Sequence, residues 1–206
     1  ITKLTVLQPI TVEPGLGEVM SNGNPILRVA VANLPSFEQQ MIALAPGGYW
    51  PMGQTVGNLT DSSGNANTAV ATGTGKTYGV TSGVVEDAIT AVTMPGATSD
   101  YFSVGNGAGA KWPTGDAFSV IVEFKRGDSG RLQYMVSQGV AGFYVAFGST
   151  DKLSLGKNGT GAILNSTNSY TDTNWHLGII TKNGASENIE VDGVNDGTGV
   201  SATVIA

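Results

Sequence analysis

From Ala117 to Phe124 the chain reads AFSVIVEF, which places Phe118, Val120, Val122 and Phe124 on one face of an extended segment and Ser119, Ile121 and Glu123 on the other. This two-residue period recurs in short stretches along most of the sequence. It is the pattern of half-buried strands, and it leaves little room for amphipathic helices. RLQYMVSQ, GFYVAFG and DKLSLGKNG follow at close spacing, separated by Gly, Asn, Asp and Ser that suit tight turns, so the region from Ala117 predicts an antiparallel meander. Further on, a strand around Trp175 to Thr181, a turn at Asn183-Gly184 and a strand around Asn188 to Val191 closed by Asp192-Gly193 are predicted. Gly supplies 30 of 206 residues, about twice its usual ~7%, with no collagen period, so the excess belongs to turns. The fold class is all-β, in one compact domain with an appendage.

The one helical candidate is LPSFEQQMIALAP, where Ser36 caps, Glu38 to Leu44 gives one or two turns and Pro46 ends them; such a short helix is expected to pack against a sheet. Residues 1–34 differ in character. KLTVLQPITV and PILRVAVANL predict two strands joined by a Pro, Gly and Asn-rich connector from Gly15 to Pro25. Two strands cannot bury a core of their own, so this region is an arm that must dock on something.

Charge narrows the partners. Lys and Arg together number 10 against 16 Asp and Glu, a net charge of -6, and only 13% of residues are charged, roughly half the globular average of about 25%. With no basic stripe, the counterion release that drives nucleic-acid binding has no source, and nucleic acid is not an expected partner. No stretch approaches the ~20 apolar residues of a helical bilayer crossing, and the start ITKLTVLQPITVEPG lacks the plan of a signal peptide, so membrane insertion is not expected. A chain beginning at Ile1 is expected to have sequence upstream. Without Cys, disulfides, thiolate metal sites and Cys nucleophiles are all excluded.

From about Met41 onward the chain resembles a laminin G-like jelly-roll domain of the concanavalin A-like superfamily, in the form found in tailed-phage virion proteins and bacterial surface proteins. The segments that carry the resemblance are MIALAPGGYWPMGQ with Tyr49-Trp50, DSSGNANTAVATG from Asp61, SDYFSVG around Tyr101, GDAFSVIVEFK from Gly115, TDTNWHLGIITKNG from Thr171 and IEVDGV ending at Val194. The resemblance implies a two-sheet antiparallel sandwich over 35–206 that acts as a glycan-binding or protein-binding module or a structural spacer. The chain departs from that pattern after VDGV, where relatives add strands that seal the sheet and only NDGTGVSATVIA remains. An open apolar edge is a pairing site. The segment expected to fill it, within the subunit or across subunits, is Ile26 to Leu34, with Ile26, Leu27, Val29, Val31 and Leu34 as its apolar residues.

Each chemical motif has a plainer reading beside it. GTGKT at Gly73 to Thr77 lacks the Gly that a phosphate-binding loop needs at position 70, which is Val70, and strand-like sequence follows where a helix is required. GNGAGA from Gly105 likewise precedes no helix. Glycoside hydrolases of the superfamily set carboxylates on one strand; here Glu187, Glu190 and Asp192 offer Glu190 and Asp192 on one side, but Val194 stands where a third acid would continue the row. His176 is the sole histidine, next to Trp175, and suits a hydrogen-bonded sheet residue better than a triad or metal cluster. Trp50 and Trp175 suit sheet packing. Trp112, in GAGAKWPTGD with no strand period, is the candidate stacking platform for a sugar ring, beside the simpler role of covering the sandwich end.

By the resemblance, calcium is compatible with Asp61, Asn65 and Asp100, yet DSSGN is equally an Asx-turn closed by Asp61 with Gly64 free for positive φ, and no metal or other cofactor is predicted. RGDS at Arg126 to Ser129 matches an integrin-ligand tripeptide in residues that a turn demands anyway. NLT at Asn58, NGT at Asn158 and NST at Asn165 fit the glycosylation sequon in expected loops. No catalytic constellation emerges. The expectation is a non-enzymatic virion structural or decoration protein at the virion surface of capsid or tail, or otherwise at a cell surface. Its residues 1–34 would dock on other virion proteins or sibling subunits, and host surface glycans are the alternative ligand.

Overall fold

The computed structural model describes the backbone of residues 12–13, 16–21 and 24–29, and residues 35–84, 89–96, 99–105, 117–139 and 142–201 in full. The protein is all-β, built from antiparallel sheets. β1 (Val12–Glu13), β2 (Leu16–Ser21) and β3 (Asn24–Val29) form a three-stranded sheet of their own. After helix α1 (Phe37–Ala43) come two strand pairs. β4 (Ala69–Thr72) pairs with β7 (Tyr101–Val104), and β5 (Thr77–Thr81) pairs with β6 (Thr90–Thr93). The remaining strands are β8 (Ala117–Lys125), β9 (Gln133–Ser137), β10 (Phe143–Phe147), β11 (Lys152–Lys157), β12 (Gly161–Ser169), β13 (Trp175–Asn183), β14 (Ser186–Val191) and β15 (Val194–Val200). They make two four-stranded sheets, β12-β11-β10-β9 and β15-β14-β13-β8.

The core lies between these two sheets: Phe143, Val145, Phe147, Leu153, Leu155 and Leu164 from the first, and Phe124, Ile180, Ile189 and Val191 from the second, with Tyr170 at one end. Phe118, Val120 and Val122 pack against it, so the apolar face expected for this strand is the one that turns inward. Burying a side chain such as Phe143 or Leu155 stabilises the fold by about 1.5–3 kcal/mol relative to leaving it in water. Opposite β8, the inward positions of β13 are His176, Gly178, Ile180 and Lys182, paired with Phe124, Val122, Val120 and Phe118. Gly178 leaves space that its neighbours fill; a Cβ there would stand 3.2 Å from Leu153 and 3.3 Å from the Phe124 ring.

The meander expected from Ala117 is real only from β9 to β12. β8 crosses to the opposite sheet and pairs with β13 over nine positions, from Ala117↔Asn183 to Lys125↔Trp175. The reason is the Arg126 corner: its guanidinium is buried, donates to Gln133 Oε1, to Asp151 Oδ1 at 2.8 Å and to the Tyr170 carbonyl at 2.8 Å, and lies 4.3 Å over the Phe147 ring. That corner carries the chain from one sheet to the other.

At the far side the two sheets meet through β12 and β15. A Cβ on Gly197 would stand 2.8 Å from the Asn165 carbonyl, so only glycine lets the strands approach this closely. Asp196 is buried at this seam and accepts from the Asn168 backbone at 3.1 Å, from its side-chain amide at 2.8 Å and from the Tyr170 hydroxyl. The residues after VDGV, expected to leave the edge bare, therefore supply one further strand and a fastening to β12.

One other expectation changes. The Gly15 to Pro25 connector contains a strand, β2, paired with β3 from Gly17↔Val29 to Ser21↔Asn24. The positions between Ser21 and Asn24 are Asn22-Gly23, the dipeptide that best suits a two-residue hairpin. Of the expected assembly segment, Ile26, Leu27 and Val29 lie in β3, while Val31 and Leu34 lie outside the described residues. Helix α1 is capped as predicted: Ser36 Oγ accepts from the Gln39 amide while the Gln39 side chain accepts from the Ser36 amide. None of its residues is fully buried, and Phe37, at its start, lines a cleft together with Trp175 and Leu177 of β13.

Candidate functional site

The described residues that carry the most concentrated chemistry surround the start of β13. Alternation turns Trp175 and Leu177 outward and His176 inward, where its ring stacks on Phe124 at 5.4 Å and meets Tyr170 edge-on at 5.1 Å. Both imidazole nitrogens face carboxylates: Nδ1 lies 2.7 Å from Asp192 Oδ2 and Nε2 lies 3.1 Å from Asp172 Oδ1. Asp172 comes from the loop before β13. Asp192 comes from the turn after β14, where it takes φ of 53° beside Gly193 at 76°, the pair of left-handed residues that a tight hairpin turn requires. Its other oxygen accepts from the Leu177 amide at 2.9 Å. Burial works against the imidazolium, but the hydrogen bonds and charges of Asp192 and Asp172 outweigh it and raise the His176 pKa. An imidazole with both nitrogens so occupied has none left to take a proton from a substrate, so the expectation of a hydrogen-bonded sheet histidine holds.

Beside it opens a cleft of about 270 Å³, lined by Phe37, Gly83, Val84, Glu123, Trp175, His176, Leu177 and Asp192. Glu123 stands on the outer face of β8, opposite Leu177. Burial raises its pKa, partly opposed by the backbone N–H groups of Gly83 and Val84. Gly83 packs tightly here: a Cβ on it would stand 2.5 Å from Glu123 Oε1 and 2.7 Å from Trp175 Cβ. The carboxylate and the indole are thus held in place by the passing loop. The cleft offers apolar walls and acid groups, with no nucleophile beside a base.

The other sequence candidates are dispersed and engaged. Glu187 faces the core and pairs with Lys182 at 3.0 Å, Glu190 faces outward and accepts from Asn188, and Asp192 leaves the strand to meet His176. The two do not act as a carboxylate pair: Asp192, at positive φ in the turn, is taken by His176 and the Leu177 amide, while Glu190 accepts from Asn188. Asp61 closes the predicted Asx-turn: Oδ1 accepts from Ser63 and Tyr49 and Oδ2 from Asn67, each at 2.9 Å, with Gly64 at φ 88°. These hydrogen bonds outweigh the effect of burial and lower its pKa to about 2. The Asn65 amide donates to the Pro46 and Gly47 carbonyls, and Asp100 binds the Gly75 amide and Lys76. Among the described residues no group of three or more His, Asp or Glu is placed to hold a metal ion.

Lys76 of GTGKT turns its ammonium to the Thr72 carbonyl and Asp100, and β5 follows it. In RGDS the arginine is buried at the sheet corner while Asp128 pairs with Arg131 at the surface, so the tripeptide is not displayed. Asn165, expected in a loop, lies in β12 and accepts from Ser154 Oγ. The Trp50 indole donates to the Asn67 carbonyl at 2.8 Å, a packing role. Trp112 lies outside the described residues.

Sequence reasoning missed Arg126, Lys182 and Tyr170 as interior polar residues, and Glu123 and Phe37 as cleft residues. For Lys182 the signal was present, since it shares the parity of Ile180 on β13. For Phe37 and Glu123 no local pattern links positions so far apart. Comparison of the chain with family models, with curated proteins and with solved structures finds no match.

Proposed function

We propose that the chain is a non-enzymatic structural or decoration subunit of a virion, a lectin-like jelly-roll sandwich carried on an arm, residues 1–34, that docks on capsid, tail or sibling subunits. The observation that carries this reading is the β1-β2-β3 sheet, whose strands pair with each other and with no other described strand. A small sheet whose edges meet no further strand among the described residues is a template for strand addition by another chain. The locked histidine and the scattered, engaged carboxylates support a role without catalysis. The virion setting rests on the laminin G-like resemblance.

The test is the mass of the full chain in solution by light scattering, beside a chain beginning at Ser36 and a full-length Leu27→Pro variant, which places a residue without a backbone N–H inside β3. Association of the full chain that both changes abolish is the expected result. Equal masses for all three would overturn the arm as an assembly element.

A further inference from the structure

We propose that the cleft between the start of α1 and the outer face of β8 and β13 seats a cationic side chain, a lysine or arginine, presented by a partner polypeptide. The walls are Phe37, Val84, Trp175 and Leu177, and the acid groups are Glu123 and Asp192. Charge selects the occupant. The one basic group of the lining, His176, already faces two carboxylates, Asp192 and Asp172 behind it, and Glu123 meets only the backbone N–H groups of Gly83 and Val84, with no cation beside it among the described residues. An anion is repelled from such a site, and the net charge of -6 on the chain adds to that bias.

Aromatic rings beside a carboxylate suit an alkyl-ammonium or guanidinium group in particular. The stem covers apolar surface, the rings attract the cation, and the carboxylate takes its hydrogen bonds. The volume of about 270 Å³ falls just below the ~300–1,000 Å³ of sites that enclose small molecules, and it leaves room for the end of a long side chain. Gly83 fixes Glu123 and Trp175 before anything binds, so little ordering remains for the ligand to impose. The site belongs to the sandwich and is independent of residues 1–34, so its failure and that of the arm reading are separate events.

The test is NMR titration of the full chain, following the Trp175 indole N–H, assigned through Trp175→Phe. The probes are N-acetyl-lysine methylamide, its uncharged analogue N-acetyl-norleucine methylamide, and n-butylammonium. A saturable shift with the lysine probe, absent with the norleucine probe and weakened about tenfold or more in Glu123→Gln but not in Asp128→Asn, is the expected result. Equal responses to the lysine and norleucine probes, no response to either, or an unchanged Glu123→Gln variant would overturn the proposal. Saturation by n-butylammonium with none by the lysine probe would assign the cleft to a free amine and overturn the polypeptide partner.

Discussion

Lys182 Nζ lies 3.0 Å from Glu187 Oε1 with both side chains fully withdrawn from solvent, an ion pair set into the sandwich interior beside Phe143. The ammonium also donates to the carbonyls of Gly184, at 2.7 Å, and Ser201, at 3.3 Å, so its hydrogen-bonding capacity is filled. Glu187 Oε2 has no such partner. Desolvation of two charges offsets most of their attraction, so removing one partner is worse than removing both. Lys182→Met alone is expected to cost about 3–5 kcal/mol in urea unfolding. Lys182→Met with Glu187→Leu should recover most of that loss, and a double variant no better than the single one would refute this account.

Tyr144 lies across Gly156 on the outer face of β10 and β11, and its ring occupies the space where a Cβ on Gly156 would stand. Gly156 does not take positive φ, although its pairing with β12 shifts register beside Leu155, so the close obstacle to alanine is the Tyr144 ring. Gly156→Ala should cost about 1–3 kcal/mol. In a Tyr144→Ala background the same change should be close to neutral, and thermal unfolding of the four species completes the cycle.

Asp61 joins three separate backbone N–H groups, and its pKa falls from 3.8 to about 2. A folded-state pKa below the unfolded one contributes stability that is present above pH 3.8 and is lost as pH falls through about 2. Asp61→Asn replaces one acceptor oxygen by a donor facing the Asn67 amide, at an expected cost of about 1–2 kcal/mol near neutrality. Unfolding free energy measured from pH 5 to pH 2 should fall less steeply for the variant than for the wild type. Parallel curves would show that Asp61 plays no part in acid sensitivity.

The His176 linkage runs the other way. Its folded pKa is raised above 6.5, so its contribution is complete below pH 6.5 and disappears as pH rises through the folded value. NMR titration of the ring Cε1 proton should give a midpoint above 6.5 in the wild type and a lower one in Asp192→Asn. An unchanged midpoint would mean that the 2.7 Å contact does not govern the titration.

Local rules predicted local features well. The Ser36 cap, the Asp61 turn, the inward face of β8 and the Asp192-Gly193 hairpin follow from side-chain chemistry acting over a few residues. The pairing of β8 with β13 was illegible because alternation fixes the face a strand buries and says nothing of its neighbour. β2 was hidden because LGEVMS has no clean apolar alternation, and its place is set by the partner β3. The cleft escaped for a related reason. Phe37, Glu123 and Trp175 are brought together only when both sheets and the Gly83 loop are assembled, and charged residues such as Lys182 and Arg126 are expected outside until a partner is known.

Tyr170 ties both long margins of the sandwich, its carbonyl taking Arg126 at the β8 to β9 corner and its hydroxyl reaching Asp196 where β12 meets β15. A crack that starts along either margin must therefore load the other. The protein should open all at once: amides of β10 and β13, one in each sheet, should exchange with solvent at the same free energy, that of global unfolding.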